Sequence, residues 1–460
     1  MVRQLAWEIL RSGSATPLRE VDFAAREVQL DARDRGLLRR IVGSEVRHRG
    51  ALRAIVDKFA RGNPKADLRA HLHVGLTQFF WCDRVPPRAA VSEVVDATRR
   101  TLGASKTTYI NAILRNVLRA RRPGHIDDAR CDIPDSDWHF PEPVFHDPTE
   151  HPLLWAEDAL SIPSGLMKRW TKRHGEERSF ALGRYFLNEP PLSLRVVQGD
   201  RDAVRAELLA FLTEVQAAEP RTPKSEPQFE PLPPEMEYGG HPAILIAPSD
   251  MTALFAAPAF VEGRVTVQGE TAYRAVELCG ALPGESWLDL CAAPGGKTAV
   301  LAGTGARVTA VDTSEAKLAR LAETLERLSL TDALTLVQSD GTAELGTAEF
   351  DGVLIDAPCS NTGVLGARPG ARWRFGPANQ KDLIELQWRL LGEGASRVKP
   401  GGTLVWSTCS LESDENQQQL KRFVVENPEW TLEESHDYLP QRPFPTDGGF
   451  SARLRRASAS

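Results

Sequence analysis

"LDLCAAPGGKTAVLA", residues 288–302, runs from a short apolar segment through two glycines into a stretch of helical character. Strand, tight turn and helix in that order open a βαβ unit. Gly295 and Gly296 let the backbone approach a ligand closely, and the helix start that follows favours negative charge. The ending "GGKT" invites a P-loop reading. A P-loop needs a glycine five positions before Gly296, and Cys291 stands there. With that motif broken, the apolar run closing on Asp in "VLIDAP" leaves a nucleotidase only as the weaker alternative.

Working outward, β-rich runs alternate with amphipathic helical ones from about residue 262 to the end. The runs are "SWLDLCA", "RVTAVD", "LTLVQSD", "FDGVLIDAP" and "GGTLVWST", with "SEAKLARLAETLERLSL" and "QKDLIELQWRLLGEGASRV" among the helices. This alternation predicts a doubly wound, Rossmann-like α/β domain with a parallel sheet over residues 261–457. Ligands of such sheets bind at the carboxyl ends of the strands. Asp312 ends the second run, 23 residues after Asp289, where an acidic side chain takes ribose hydroxyls. Asp340 ends the third run and Asp356 the fourth. Four such carboxylates suit a ligand with hydroxyls, an amine and a base. S-adenosylmethionine fits, with ribose at Asp312, adenine near Asp340 and the cationic end at Asp289 or Asp356. Spacing alone leaves NAD open.

The front of the chain differs. Residues 1–125 carry apolar residues at three- and four-residue spacing, as in "YINAILRNVLRARR", and predict an all-α bundle. Residues 126–160 lose that period, gain Pro, Asp and His, and read as a linker. Residues 161–260 read as a small α+β subdomain, with a strand and helix in "PLSLRVVQGDRDAVRAELLAFL" and six prolines over 220–234 marking an irregular exposed loop. Residues 1–122 hold 24 Lys and Arg against 12 Asp and Glu, although the whole chain has a net charge of −6. A basic front end favours a polyanionic partner through phosphate contacts. No apolar run reaches the length of a membrane span. Six scattered cysteines are no disulfide framework and show no zinc spacing, so no metal is expected and a reducing cytoplasm is.

Two of those cysteines end strand-like runs and precede serine: Cys359 in "DAPCS" and Cys409 in "STCS". A cysteine on a strand is usually a small core hydrophobe, the role expected of Cys82, Cys131 and Cys279. Two thiols at neighbouring strand ends can instead divide a reaction. Spacing does not say which of them attacks.

"LDLCAAPGGKT", "DAPCSNTG", "RWRF" with "LIELQWRLL", and "STCSLESDEN" together resemble the RNA cytosine-5 methyltransferases of the NOL1/NOP2/Sun type. "GLTQFFWCDRVPPRAAVSEVVDATRR" and "YINAILRNVLR" look like the NusB-like RNA-binding domain that precedes the catalytic part in bacterial enzymes acting on 16S ribosomal RNA. The resemblance covers nearly the whole chain. It implies a cytoplasmic monomer transferring methyl from S-adenosylmethionine to carbon 5 of a cytosine in 16S rRNA, with no DNA or membrane partner. It implies attack by Cys409, product release assisted by Cys359, and a polar contact from Asp356 at the base or cofactor. DNA cytosine methyltransferases use a cysteine after proline, which would exchange the two thiols. Cofactor contacts are implied for Cys291, Ala292, Ala293, Pro294, Gly295, Gly296, Lys297, Asp312, Asp340 and Asp356. Three positions depart from the family pattern: Gly269 replaces an Asp, Asn361 a Gly and Val197 an Asn.

Overall fold

The computed structural model describes residues 1–14, 16–218, 235–247, 252–441 and 446–458. They form two compact units, one of Met1–Glu189 with Leu365–Gly376, the other of Pro190–Val364 with Pro377–Ser460. The six-proline stretch at 220–234 lies outside the described residues.

The first unit begins with α1 (Val2–Ser12), α2 (Pro17–Glu27), α3 (Ala32–Phe59), α4 (Ala66–Phe80), α5 (Pro87–Leu102) and α6 (Thr107–Ala120). Local chemistry sets their ends. Asp31 caps α3 by accepting from Asp34 N at 2.7 Å, and Gly13 ends α1 in the left-handed region. The period seen in the sequence is the buried face: in α6 it is Ile110, Ile113, Leu114 and Val117.

Residues 126–160 are not a linker. A short hairpin of β1 (Arg122–Pro123) and β2 (Trp138–His139) leads to α7 (Pro152–Ala159), and Cys131, Ile133, Phe140, Phe145 and Trp155 are buried. Phe140 meets the rings of Phe59 and Phe80, and Trp155 Nε1 donates to Ala129 O at 2.8 Å. Irregular backbone full of Pro and Asp hid apolar side chains that had a core to enter. The helices α8 (Ser164–His174) and α9 (Glu176–Tyr185) also belong to this unit, so the compact boundary falls at 189/190 rather than 160/161. The segment 365–376, expected within the catalytic domain, packs here too. The guanidinium of Arg372, fully buried, donates to Phe186 O at 2.7 Å and Leu365 O at 3.3 Å.

The second unit opens with a four-stranded sheet in the order β4-β5-β3-β6, made of β3 (Leu192–Val196), β4 (Glu237–Tyr238), β5 (Ile244–Ala247) and β6 (Val265–Val267). Its helices are α10 (Arg201–Ala218) and α11 (Pro258–Val261). Then α12 (Glu270–Glu277) leads into β7 (Ser286–Leu290), α13 (Gly296–Gly303), β8 (Arg307–Asp312), α14 (Glu315–Arg327), β9 (Leu334–Gln338) and β10 (Phe350–Asp356). The chain closes with α15 (Pro377–Ser396), β11 (Val398–Thr408), α16 (Gln417–Glu426), β12 (Trp430–Tyr438) and β13 (Gly449–Arg456).

Strands β7 to β13 form one sheet in the order β12-β13-β11-β10-β7-β8-β9. The five predicted strands pair in parallel, but β13 inserts antiparallel beside β11 and β12 antiparallel beside it. The sheet is therefore mixed, not wholly parallel as expected. A chain reversal over the last two strands leaves no helix between them to signal a crossover. No helix among the described residues is long and apolar enough to cross a membrane.

One close approach fixes the centre of this sheet. Gly352 on β10 is paired with Trp287 on β7, and a Cβ at 352 would stand 2.3 Å from the indole ring. Trp287 is itself 1% exposed, so the ring has nowhere to go. Gly352→Ala should cost about 1–3 kcal/mol of stability through overpacking. An unchanged denaturation midpoint would show that the ring yields freely.

Candidate active site

The parallel register of β10 and β11 sets Asp356 opposite Ser407. Each strand then ends, and its cysteine follows three residues after Asp356 or two after Ser407. Adjacent strands in this register bring the two sulfurs together: Cys359 Sγ and Cys409 Sγ are 3.2 Å apart. Both are half-buried. The Cys409 thiol donates to Asn361 Oδ1 at 3.2 Å, and Asn361 Nδ2 donates to Cys359 O at 2.7 Å. The neighbouring Cys409 sulfur, burial and the Glu415 carboxylate all push the Cys359 thiol well above its ordinary pKa.

On the other side of β10 lies β7, and α13 follows it. Lys297, in the first turn of α13, reaches Asp356 with Nζ 2.8 Å from Oδ2, while Ser407 donates to Asp356 Oδ1 at 3.2 Å. Burial opposes the Lys297 charge, but Asp356, Cys409 and Asp289 outweigh it and raise the pKa.

The turn before α13 is shaped by left-handed residues, Cys291 at φ 69° and Gly295 at φ 101°. Its backbone is tied to β8: Ala292 N donates to Val311 O at 2.9 Å and Ala293 N to Asp312 Oδ2 at 3.3 Å. Pro294 is exposed, and Gly296 O accepts from Gln268 Nε2 at 3.1 Å. Asp312 also meets Lys317 Nζ at 3.0 Å. Burial first, then Asp356, Asp312 and Asp289, pushes the Cys291 thiol up to about 12. Asp340 lies two residues past the end of β9 and is exposed. Cys82, Cys131 and Cys279 are buried core residues.

Asp289 is fully buried on β7. Thr298 Oγ1 donates to its Oδ2 at 2.7 Å, and Oδ1 has no hydrogen-bond partner among the described residues. Burial raises its pKa from 3.8 to about 7, against the Thr298 bond and with help from Asp356. A carboxyl whose pKa is raised on folding binds more protons folded than unfolded between those two values. Its contribution to stability is therefore complete at low pH and is lost as pH rises through that window. Asp289→Asn removes the dependence. Denaturation at several pH values should show the variant gaining on the parent from about pH 4 to pH 7; a gap that stays constant would contradict the assignment.

Two family models match. Residues 3–119 match the NusB family, and residues 279–442 match the model described as 16S rRNA methyltransferase RsmB/F. A probable ribosomal RNA small subunit methyltransferase B of Synechocystis is 30% identical over 454 residues, covering 95% of this chain and 92% of the relative. The ribosomal RNA small subunit methyltransferase B of Vibrio cholerae is 31% identical over 91% of this chain and 87% of its own length. The chain belongs to the small-subunit methyltransferase B family. The fold agrees: the crystal structure of PH0851 superposes with a TM-score of 0.73 at 22% identity over 99% of this chain and 98% of that one. A methyltransferase homologue from Pyrococcus horikoshii reaches 0.50 at 22% identity over 66% of this chain and 99% of its own.

The three departures of this methyltransferase B chain have physical accounts. Asn361 sits at φ 61°, a conformation glycine takes freely and asparagine tolerates best among the rest, so the backbone of the turn is preserved. At Gly269, a Cβ would stand 2.3 Å from Asp447 Oδ2; a carboxylate from elsewhere in the chain already occupies that space. Val197 packs against the apolar cluster that contains Ala292.

Several residues at the site were not singled out from the sequence. Ser407, Gln268, Gln380, Gln387 and Glu415 contact the named residues or their neighbours. "LIELQWRLL" and "STCSLESDEN" hold Gln387 and Glu415, so the signal was present in those motifs without a role attached.

Proposed function

We propose that the protein methylates carbon 5 of a cytosine in 16S ribosomal RNA through a covalent bond between Cys409 and the base, acting as a cytoplasmic monomer. The protein is a ribosomal RNA methyltransferase and its methyl donor is S-adenosylmethionine. The observation that carries the cysteine chemistry is the pair of sulfurs 3.2 Å apart beside the Lys297–Asp356 ion pair.

Carbon 5 of cytosine is too weak a nucleophile to take a methyl group directly. Addition of the Cys409 thiolate to carbon 6 makes an enamine and moves electron density onto carbon 5. The cofactor, when bound, supplies an electrophilic methyl group. Once Cys409 is bonded to carbon, its negative charge is gone, and the Cys359 thiol loses the partner that kept it protonated. Cys359 then gives its proton to solvent and takes the proton from carbon 5, while the bond between carbon 6 and Cys409 breaks and Cys409 leaves as thiolate. The cycle ends with Cys359 protonated and Cys409 ionised, and one proton has been released overall. Asp356, held by Lys297 and Ser407, would bond the base edge. The base must leave its stack for the thiol and the methyl donor to reach it.

For the cofactor, the residues fit. Asp289 Oδ1 is a buried acceptor suited to a cationic group, Asp312 offers acceptors for ribose hydroxyls, Asp340 lies at the next strand end for the adenine, and residues 291–297 supply the turn. Asp312→Ala should weaken S-adenosylmethionine binding by roughly 1.5–3 kcal/mol. Unaltered affinity by calorimetry in a folded variant would reject that role. The overall reading is tested by incubating the protein with labelled S-adenosylmethionine and rRNA, then digesting to nucleosides. Label in 5-methylcytidine supports it; label in another nucleoside, or binding of ATP but not of S-adenosylmethionine, rejects it.

A further inference from the structure

Both thiols are followed by serine, and the two serines converge on one side chain. Glu415, fully buried just before α16, accepts from Ser360 N at 2.9 Å, from Ser360 Oγ, from Ser410 Oγ at 2.8 Å, from Gln387 Nε2 at 2.9 Å and from Gln380 Nε2 at 3.1 Å. These donors are all uncharged. Gln387 Nε2 also donates to Pro358 O at 2.9 Å, so the residues on both sides of Cys359 are held. The next residue, Asn416, does the same around Cys409: it accepts from Thr408 Oγ1 at 2.6 Å and donates to Ser410 O at 2.9 Å. Burying a carboxylate without a cation is costly, and here five hydrogen bonds offset that cost.

We propose that Glu415 is a positioning residue for the two-thiol reaction, one carboxylate that ties the Cys359 and Cys409 loops together and fixes the separation of their sulfurs. The inference rests on the division of labour proposed above. Its geometric content is that each thiol is followed by a serine whose hydroxyl donates to the same oxygen, Glu415 Oε1. Its electrostatic content concerns Cys359 alone. The groups acting on that thiol are the Cys409 sulfur, the Asn361 backbone and Glu415, while Lys297 is coupled to Cys409 and Asp356. The buried carboxylate of Glu415 helps to hold the Cys359 thiol protonated.

The test is Glu415→Gln, which keeps the shape and removes the charge. With the full chain, turnover should fall about 100-fold as the sulfurs lose their fixed geometry, while KM for RNA stays unchanged. A role confined to folding would not alter the titration of one thiol. Iodoacetamide labelling of Cys359 is therefore followed against pH, by peptide mass spectrometry, in a Cys409→Ser background with and without Glu415→Gln. The midpoint should move to lower pH when the charge is lost, while Cys82, Cys131 and Cys279 stay unlabelled and report an intact fold. Should Glu415→Gln not fold, the double variant Ser360→Ala/Ser410→Ala leaves the carboxylate its three amide donors and takes over the turnover arm, with the same loss expected. Wild-type turnover in whichever variant folds, or an unmoved Cys359 midpoint in folded Glu415→Gln, overturns the proposal. The labelling arm does not depend on which thiol attacks, so it fails separately from the mechanism on which the proposal rests.

Discussion

Cys409→Ala should abolish methylation and form no covalent adduct with RNA, whereas Cys359→Ala should transfer one methyl group and then remain bonded to its product. Loss of the nucleophile should lower turnover by at least about four orders of magnitude. A serine at 409 should do little better, because a hydroxyl is far less acidic than a thiol, whose ordinary pKa is about 8.5. Loss of Cys359 should lower steady-state turnover by about 10²–10⁴, the usual worth of a positioned base, while the first turnover survives. The adduct should persist through denaturing electrophoresis and carry label from the methyl donor. At 3.2 Å the two sulfurs share one small volume, so each has access to the face of a base that the other reaches. Distance alone therefore does not separate their roles; their charged surroundings differ, with Lys297 coupled to Cys409 and Glu415 to Cys359. Adduct accumulating in Cys409→Ala instead would reverse the assignment and match the arrangement of the DNA enzymes. Silence from Cys359→Ala as well would mean that Cys359 is needed before product release, and would leave the division of labour between the thiols unproven.

How far the sequence could be read depended on whether the signal was local. "RVTAVD" gave the strand Arg307–Asp312 without error, because a β-branched run between a turn and a helix is a local pattern. The cysteines were found for the same reason, each at a strand end followed by serine. That their sulfurs touch was not legible, since it depends on β10 and β11 being neighbours in one particular register. Glu415 was hidden for a related reason: its donors come from residues 360, 380, 387 and 410, which only the folded chain assembles. The segment 126–160 shows the opposite failure. Its composition was read as linker because Pro and Asp suppress periodicity, but Phe140 and Trp155 were each a single apolar residue with a place in a core. The antiparallel closing strands were missed because the helix alternation that marks parallel pairing stops at α16, with no helix between β12 and β13 among the described residues.

Replacing Arg115 and Arg119 by glutamine should weaken RNA binding and flatten its dependence on salt, without altering turnover at saturating RNA. Residues 97–126 hold seven Lys and Arg and no Asp or Glu, a run that crosses α6. The fold turns that run into a surface. Ile110, Ile113, Leu114 and Val117 bury one side of α6, which leaves Arg115 and Arg119 exposed on the other. Their side-chain partners are Asn111 and Asn116, which orient the guanidinium groups without neutralising them. Other arginines of this unit are cancelled by a carboxylate, such as Arg49 by Glu45 and Arg69 by Asp57. Each free guanidinium that replaces a counterion on a phosphate adds about 0.7 to the slope of log affinity against log salt for a single strand, and about 0.9 for a duplex. Losing two should reduce the slope by about 1.4–1.8. KM for RNA should rise with kcat unchanged, because a phosphate contact is made equally before and during the chemical step. A slope that does not change would mean that this face of α6 is not on the RNA, and that the excess of basic residues in the first unit meets phosphate elsewhere.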